Sequence, residues 1–395
     1  MEHSIKDQIS IEIKAFFKGY PKFVYSKNNN LVLDGIPVFV YHTIDPELFE
    51  AHLKYLDDNG YKTLTIHEFY ELITENKSNE DKKLVLLTID DARSSVWRFA
   101  YPLLAKYKMH ATVFIIPGIT ETTDSCRFNL NDYWNSNCSV EDIYKIDPID
   151  NFLCTWNEIK EMYNSGFVNI ESHTLFHKEV FINTNIVEFI ETDTPFLKYN
   201  FKGSPYYKLN NIQKQLVLSD FVGLPVFETV PLMLGGSRIE VTKEFLTTCK
   251  DIFNRAKKNR DINWKRKISD FVKKEANNKK FIFYLENSVK DVYEDLKLAR
   301  EKIQKHLDND AGNHLCLPWT RGSDKTVEIC KELGIKSCFW GVLDGKKINK
   351  SGDDPYFISR IKNDFIFRLP GRGRASLISI YKHKIKRRLS GEKVF

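Results

Sequence analysis

Four things are missing or scarce in this sequence, and each absence narrows what the chain can be. No run of about 18 apolar residues occurs anywhere in its 395 residues, so no helix is expected to span a bilayer. The opening MEHSIKDQISIEIKAFFKGY mixes acids with bases and contains no apolar stretch suited to a secretory signal, so a cytoplasmic location is expected. The seven cysteines, at 126, 138, 154, 249, 316, 330 and 338, are odd in number and include no CxxC pair, which argues against a disulfide framework and against a cysteine-built zinc site. Charge of one sign is also scarce: 59 Lys and Arg against 53 Asp and Glu leave +6, below the basicity of a dedicated nucleic-acid binder, and no nucleic-acid partner is expected.

What is present is a globular composition, 42% hydrophobic and 13% aromatic, with no internal repeat. Ile36 to His42 reads as a short buried strand, and Pro46 to Asn59 carries apolar residues on one helical face. Leu84 to Thr88 is a continuous apolar run, as expected for a parallel strand covered on both faces. A helix from Val96 to Tyr107, a strand from Ala111, a helix from Trp156 to Ser165 and a strand from Phe167 to Glu171 continue the alternation. This pattern predicts a parallel sheet closed as a barrel, with its site at the carboxyl ends of the strands. Residues 183–287 break the pattern and read as an irregular, polar insertion with an exposed-looking apolar patch from Phe221 to Phe227 and a Lys-rich helical stretch around Asp251 to Asn277. A helix capped by Ser288 and Asp291 resumes it, and Phe357 to Phe367 reads as a last extended region.

Two features carry chemistry. Asp90 and Asp91 end the apolar strand, where burial and mutual repulsion disfavour both charges unless a cation shares the site; the alternative is a solvated Asp-Asp turn. Ser172 to His177 ends another predicted strand with two imidazoles four residues apart. One carboxylate with two histidines makes a three-ligand set that leaves positions open on zinc or another divalent ion.

Together these segments resemble the polysaccharide deacetylases with the NodB-homology fold, carbohydrate esterase family 4. The resemblance runs through Pro37 to His42, Phe49 to Thr65, Thr88 to Asp91, His110 to Phe114 and Trp156 to His177, then Pro318-Trp319 and Glu328 to Phe339, in that family's order, covering roughly residues 36–182 and 288–345. It implies a distorted (β/α) barrel in the α/β class. It also implies Asp91, His173 and His177 as metal ligands, Asp90 as catalytic base and the Trp319 backbone N–H as an oxyanion donor. The metal is expected to be zinc, with cobalt, nickel, iron or manganese as alternatives. Cys316 stands where many members have a base-orienting Arg, for which Arg321 and Arg360 are candidate replacements, and Ala92 replaces a usual Gly. No late general-acid histidine motif is visible, and Tyr41-His42 matches the early motif of other branches, so His42 is expected to be the general acid, with His383 as rival. The remaining histidines, 52, 67, 110, 306 and 314, are read as structural.

The expected organisation is an N-terminal helix and loop (1–30), a deacetylase barrel in two parts (31–182 and 288–370), the insertion (183–287) as a lid or acceptor site, and a basic amphipathic tail (371–395). The reaction implied is metal-dependent hydrolytic N-deacetylation of an amino-sugar glycan or precursor. Its substrate would be an N-acetylated sugar, an oligosaccharide or a lipid- or nucleotide-linked intermediate, and the tail would contact the inner face of the membrane. The rival reading is a catalytically silent barrel that binds glycan or a protein.

Overall fold

The computed structural model describes residues 19–75, 83–145, 152–191, 221–286 and 288–389. Most of the helix expected within 1–30 lies outside them. The chain lays down strands β1 (Val38–Tyr41), β2 (Lys62–Thr63), β3 (Leu84–Asp91), β4 (Ala111–Ile115) and β5 (Val168–Ser172). It then departs into β6 (Glu179–Phe189), β7 (Pro225–Pro231), β8 (Arg238–Val241) and β9 (Ile282–Leu285), and returns with β10 (His314–Cys316), β11 (Ser337–Phe339) and β12 (Ile361–Lys362). Two compact units result, one on the parallel strands and one on β6–β9.

In the first unit the strand order is β11-β10-β5-β4-β3-β1-β12, all parallel, with β2 added beside β3. A parallel bridge between Phe339 and Ile358 carries the ring across the seam, so the sheet curls into the expected distorted (β/α) barrel. Period-2 alternation divides each strand between two cores. Val85, Leu87 and Ile89 of β3 pack outward beneath the helices, whereas Leu84 and Leu86 point inward with Val38, Phe114 and Phe339. Each such fully buried side chain contributes about 1.5–3 kcal/mol. The outer layer includes helices α1 (Pro46–Asp58), α2 (Ile66–Thr74), α3 (Tyr101–Tyr107) and α4 (Trp156–Asn164). Asp45 caps α1, and Thr65 with Glu68 and Thr155 with Glu158 form capping boxes on α2 and α4.

The structure corrects several sequence expectations. Val96–Ala100 is a π-turn leading into α3: Pro102 lacks the N–H that a regular helix would bond to Arg98. The last extended region shrinks to β12, and Asn363–Arg368 coils into a 3-10 turn. The Lys-rich helical stretch of the insertion is present as α5 (Lys243–Lys258) and α6 (Trp264–Glu275), but the rest of its described residues are not irregular: β6–β9 form an antiparallel sheet in the order β7-β6-β8-β9. The patch from Phe221 to Phe227 is core, with Phe221, Leu224 and Phe227 fully buried beside Phe181 and Phe245. Polar residues outnumber apolar ones here because a single four-stranded sheet with two helices needs only one apolar face.

Helices α7 (Val289–His306), α8 (Asp324–Glu332) and α9 (Leu377–Leu389) follow toward the carboxyl end. The capping box expected at Ser288 does not form: its Oγ has no hydrogen-bond partner, and Asp291 instead pairs with Arg238 at 2.5 Å. The basic tail is the helix α9, anchored by buried Ile380 and by Lys384 and Arg387 on Asp364.

Candidate active site

The parallel registers bring the carboxyl ends of β1, β3 and β5 together. Asp91 and Ser172 pair with the same residue, Ile115, from opposite sides, and Tyr41 pairs with Ile89. Asp90 therefore points into the barrel between His42 and His173. A regular strand would send Asp91 to the outer face, but it adopts φ 70°, and Ala92 follows at φ 54°. This left-handed turn, uncommon outside glycine, swings Asp91 back to the rim that Asp90 occupies. It also shows that Ala92 takes up the backbone conformation for which glycine is the easier residue.

Asp90 is almost fully buried, and so is Arg360, whose guanidinium holds it as a fork: Nη1 donates to Oδ1 at 2.7 Å and Nη2 to Oδ2 at 2.9 Å. The same guanidinium reaches Thr88 Oγ1 at 3.2 Å, Cys316 Sγ at 3.0 Å and, through Nε, the Trp340 carbonyl at 2.9 Å. Burial raises the Asp90 carboxyl, but Arg360, helped by His173 and His42, outweighs it and holds the group below the usual carboxylate range. Cys316 sits 3.5 Å from Asp90 Oδ2, and burial pushes its thiol well above the ordinary value. Of the two candidate arginines, Arg360 is the one at the base. Arg321 is exposed.

His173 Nδ1 lies 2.9 Å from the Cys316 carbonyl, which can only accept, so Nδ1 donates there and leaves Nε2 for the site. That Nε2 is 3.6 Å from Asp91 Oδ1. Ligand atoms of Asp91, His173 and His177 lie within 4.8 Å of one another, the turn between the histidines passing through Thr174 at φ 67° to His177 at φ 50°. Leu175 N donates to Asp295 Oδ1 at 2.9 Å, tying this turn to α7. Arg93 Nη2 is 3.4 Å from the other Asp91 oxygen, and its Nη1 donates to Thr43 Oγ1 at 2.8 Å.

A second grouping, Asp90, His173 and Cys316, is equally close. The cation already bonded to Asp90 and Cys316 would repel a metal there, and the Cys316 thiol is held protonated. One carboxylate with two imidazoles, free of that guanidinium, suits a divalent ion better, so the donor set fits the group through Asp91, His173 and His177.

His42 Nε2 stands 3.8 Å from Asp90 Oδ2, its side chain 31% exposed. Burial lowers its pKa and the two aspartates work in the opposite direction. Trp319 occupies a 3-10 turn at φ 51°, directly after buried Pro318. His383 is exposed on α9. The histidines read as structural lie elsewhere: His52 packs on Phe367 at 4.6 Å, His306 stacks on Trp156 at 4.0 Å, and His314 bonds Ser337. What residue patterns did not reveal was the participation of Cys316, Arg93 and Thr88.

Residues 77–202 match the family model described as polysaccharide deacetylase. YxkH of Bacillus subtilis (strain 168) is 33% identical over 153 residues, 37% of this chain and 44% of that one. The poly-beta-1,6-N-acetyl-D-glucosamine N-deacetylase of Staphylococcus aureus (strain MSSA476) is 30% identical over 133 residues, 34% of this chain and 37% of its own. The chain thus spans less than half the length of these curated relatives. A solved de-N-acetylase from Aggregatibacter actinomycetemcomitans superposes with a TM-score of 0.50 over 83% of this chain and 94% of that one, at 18% identity, and shares the fold.

Proposed function

We propose that the protein is a metal-dependent hydrolase that removes N-acetyl groups from an amino-sugar glycan, with Asp90 as base. The observation that carries this reading is one buried aspartate clamped by Arg360 beside a second aspartate grouped with two histidines. A silent binding barrel has no use for that division of labour. The name of the Staphylococcus aureus relative favours an N-acetylglucosamine polymer over a lipid- or nucleotide-linked precursor as substrate.

In this reading Asp91, His173 and His177 hold the divalent ion, zinc first among candidates. When bound, the ion supplies Lewis acidity for the acetamide carbonyl and acidity for a water molecule. Asp90 stays ionised because Arg360 neutralises it, and it accepts the proton of the attacking water at Oδ2. His42, neutral at rest because burial lowers its pKa, takes that proton on Nε2 across 3.8 Å and delivers it to the departing amine. One proton leaves water and one reaches the amine, so the site returns to its starting state. The Trp319 N–H is the second donor to the oxyanion.

The deciding experiment incubates the zinc-loaded protein with an N-acetylglucosamine oligomer and measures acetate and free amine. Stoichiometric appearance of both is expected. Glycan binding without acetate release would move the protein to the silent-barrel reading.

A further inference from the structure

The strongest charge asymmetry in the second unit has no part in deacetylation. Between residues 243 and 280 there are thirteen Lys and Arg against five Asp and Glu, although the whole chain carries only +6. The structure arranges this stretch as a hairpin, α5 and α6, whose inner face is sealed by Phe245, Leu246, Cys249, Ile268 and Val272. Its cations are therefore on the outside. Seven of them, with a single acid, fall between Arg255 and Lys267 around the hairpin tip. Two are paired, Lys265 with Glu191 and Lys267 with Asp261, both at 2.6 Å. Arg255, Lys257, Lys258, Arg260 and Arg266 are exposed and pair with no acid among the described residues.

At the apex sits Ile262, 88% exposed, the most exposed large apolar side chain among the described residues. The tip is a built turn: Asp261 accepts from Asn263 N at 2.8 Å, and Trp264 packs edge-on against Phe189 and Phe253 at 5.1 and 4.9 Å. Ile262 is thus held outward by the turn. An aliphatic side chain held exposed among the cations of the hairpin tip gains nothing in water or against a soluble polyanion. Against an anionic bilayer it does: the cations meet the headgroups and the isoleucine enters the acyl boundary.

We infer that the α5–α6 hairpin is a peripheral docking surface for an anionic lipid bilayer, with Ile262 as the inserting residue. This moves the membrane contact away from the tail, where Lys384, Arg387 and Ile380 are spent on anchoring α9. It stands independently of the proposed chemistry, because its test reads no turnover.

The test is co-sedimentation of the full chain with vesicles of phosphatidylcholine alone or of phosphatidylcholine with phosphatidylglycerol, circular dichroism confirming the fold of every variant. The wild type should pellet with the anionic vesicles only. Ile262→Ser should lower partitioning roughly tenfold. The double change Lys257→Gln, Lys258→Gln should lower it by about thirtyfold, near a factor of five for each cation. Wild-type partitioning by Ile262→Ser, together with its displacement by soluble polyphosphate, would assign the patch to a polyanionic polymer instead. Equal binding to both vesicle types, or loss of binding only in Lys382→Gln, Lys386→Gln on α9, would overturn the proposal as well.

Discussion

Arg360 lies 270 residues beyond Asp90 in the chain, yet its guanidinium bonds both oxygens of that carboxylate. It can do so because it belongs to the segment that closes the barrel, two residues after the Phe339–Ile358 bridge and one before β12 pairs with β1. The closing segment faces inward at the height of Asp90, and Cys316, small and uncharged, leaves room for the guanidinium.

Arg360→Ala should therefore be among the most destabilising single changes. It strands a buried carboxylate, at a cost of about 3–5 kcal/mol, readable as a lowered denaturant midpoint. Arg360→Lys should keep part of the stability and lose turnover, because one ammonium cannot replace the fork. If Arg360→Ala unfolds at the wild-type midpoint, the pair contributes nothing and Asp90 is oriented by something else.

Metal content should separate the two aspartates. His177→Ala and Asp91→Asn should reduce bound zinc measured by mass spectrometry of the dialysed protein, whereas Asp90→Asn should retain it and lose acetate release. Zinc loss in Asp90→Asn with retention in Asp91→Asn would reverse the assignment.

His42→Ala should keep fold and metal, lose most amide hydrolysis, and lose less on an acetyl ester, whose alkoxide leaves with less protonic help. An equal loss on both substrates would give His42 a positioning part in place of proton delivery.

Asp295, which anchors the turn between His173 and His177, offers a pH prediction. Its carboxyl, which accepts from Leu175 N, is raised to about 6, burial being the first cause. An acid raised on folding binds its proton more tightly in the native state, so stability is highest below the unfolded pKa, near 4, and falls as pH rises towards 6. The loss across that window should be on the order of 2–3 kcal/mol. Asp295→Asn, which keeps an oxygen for Leu175 N, should flatten this part of the stability–pH curve in chemical denaturation. An unchanged curve would show that the carboxyl titrates as an exposed one.

The sequence alone determined the barrel strands β1, β3, β4 and β5 and the carboxylates and imidazoles that follow them. A continuous apolar run such as Leu84 to Thr88, set in an alternation of strands and helices, fits a parallel strand covered on both faces, and the polar residues that end it then lie at the carboxyl rim. Tertiary structure decided the rest. The turn at Asp91 and Ala92 depends on backbone angles that composition does not encode, and the partner of Asp90 depends on which distant segment closes the ring. The patch from Phe221 to Phe227 was misread for a related reason, since whether an apolar stretch is surface or core depends on the sheet and helices that cover it. Register and closure are set by contacts between segments far apart in sequence, so no window of residues carries them.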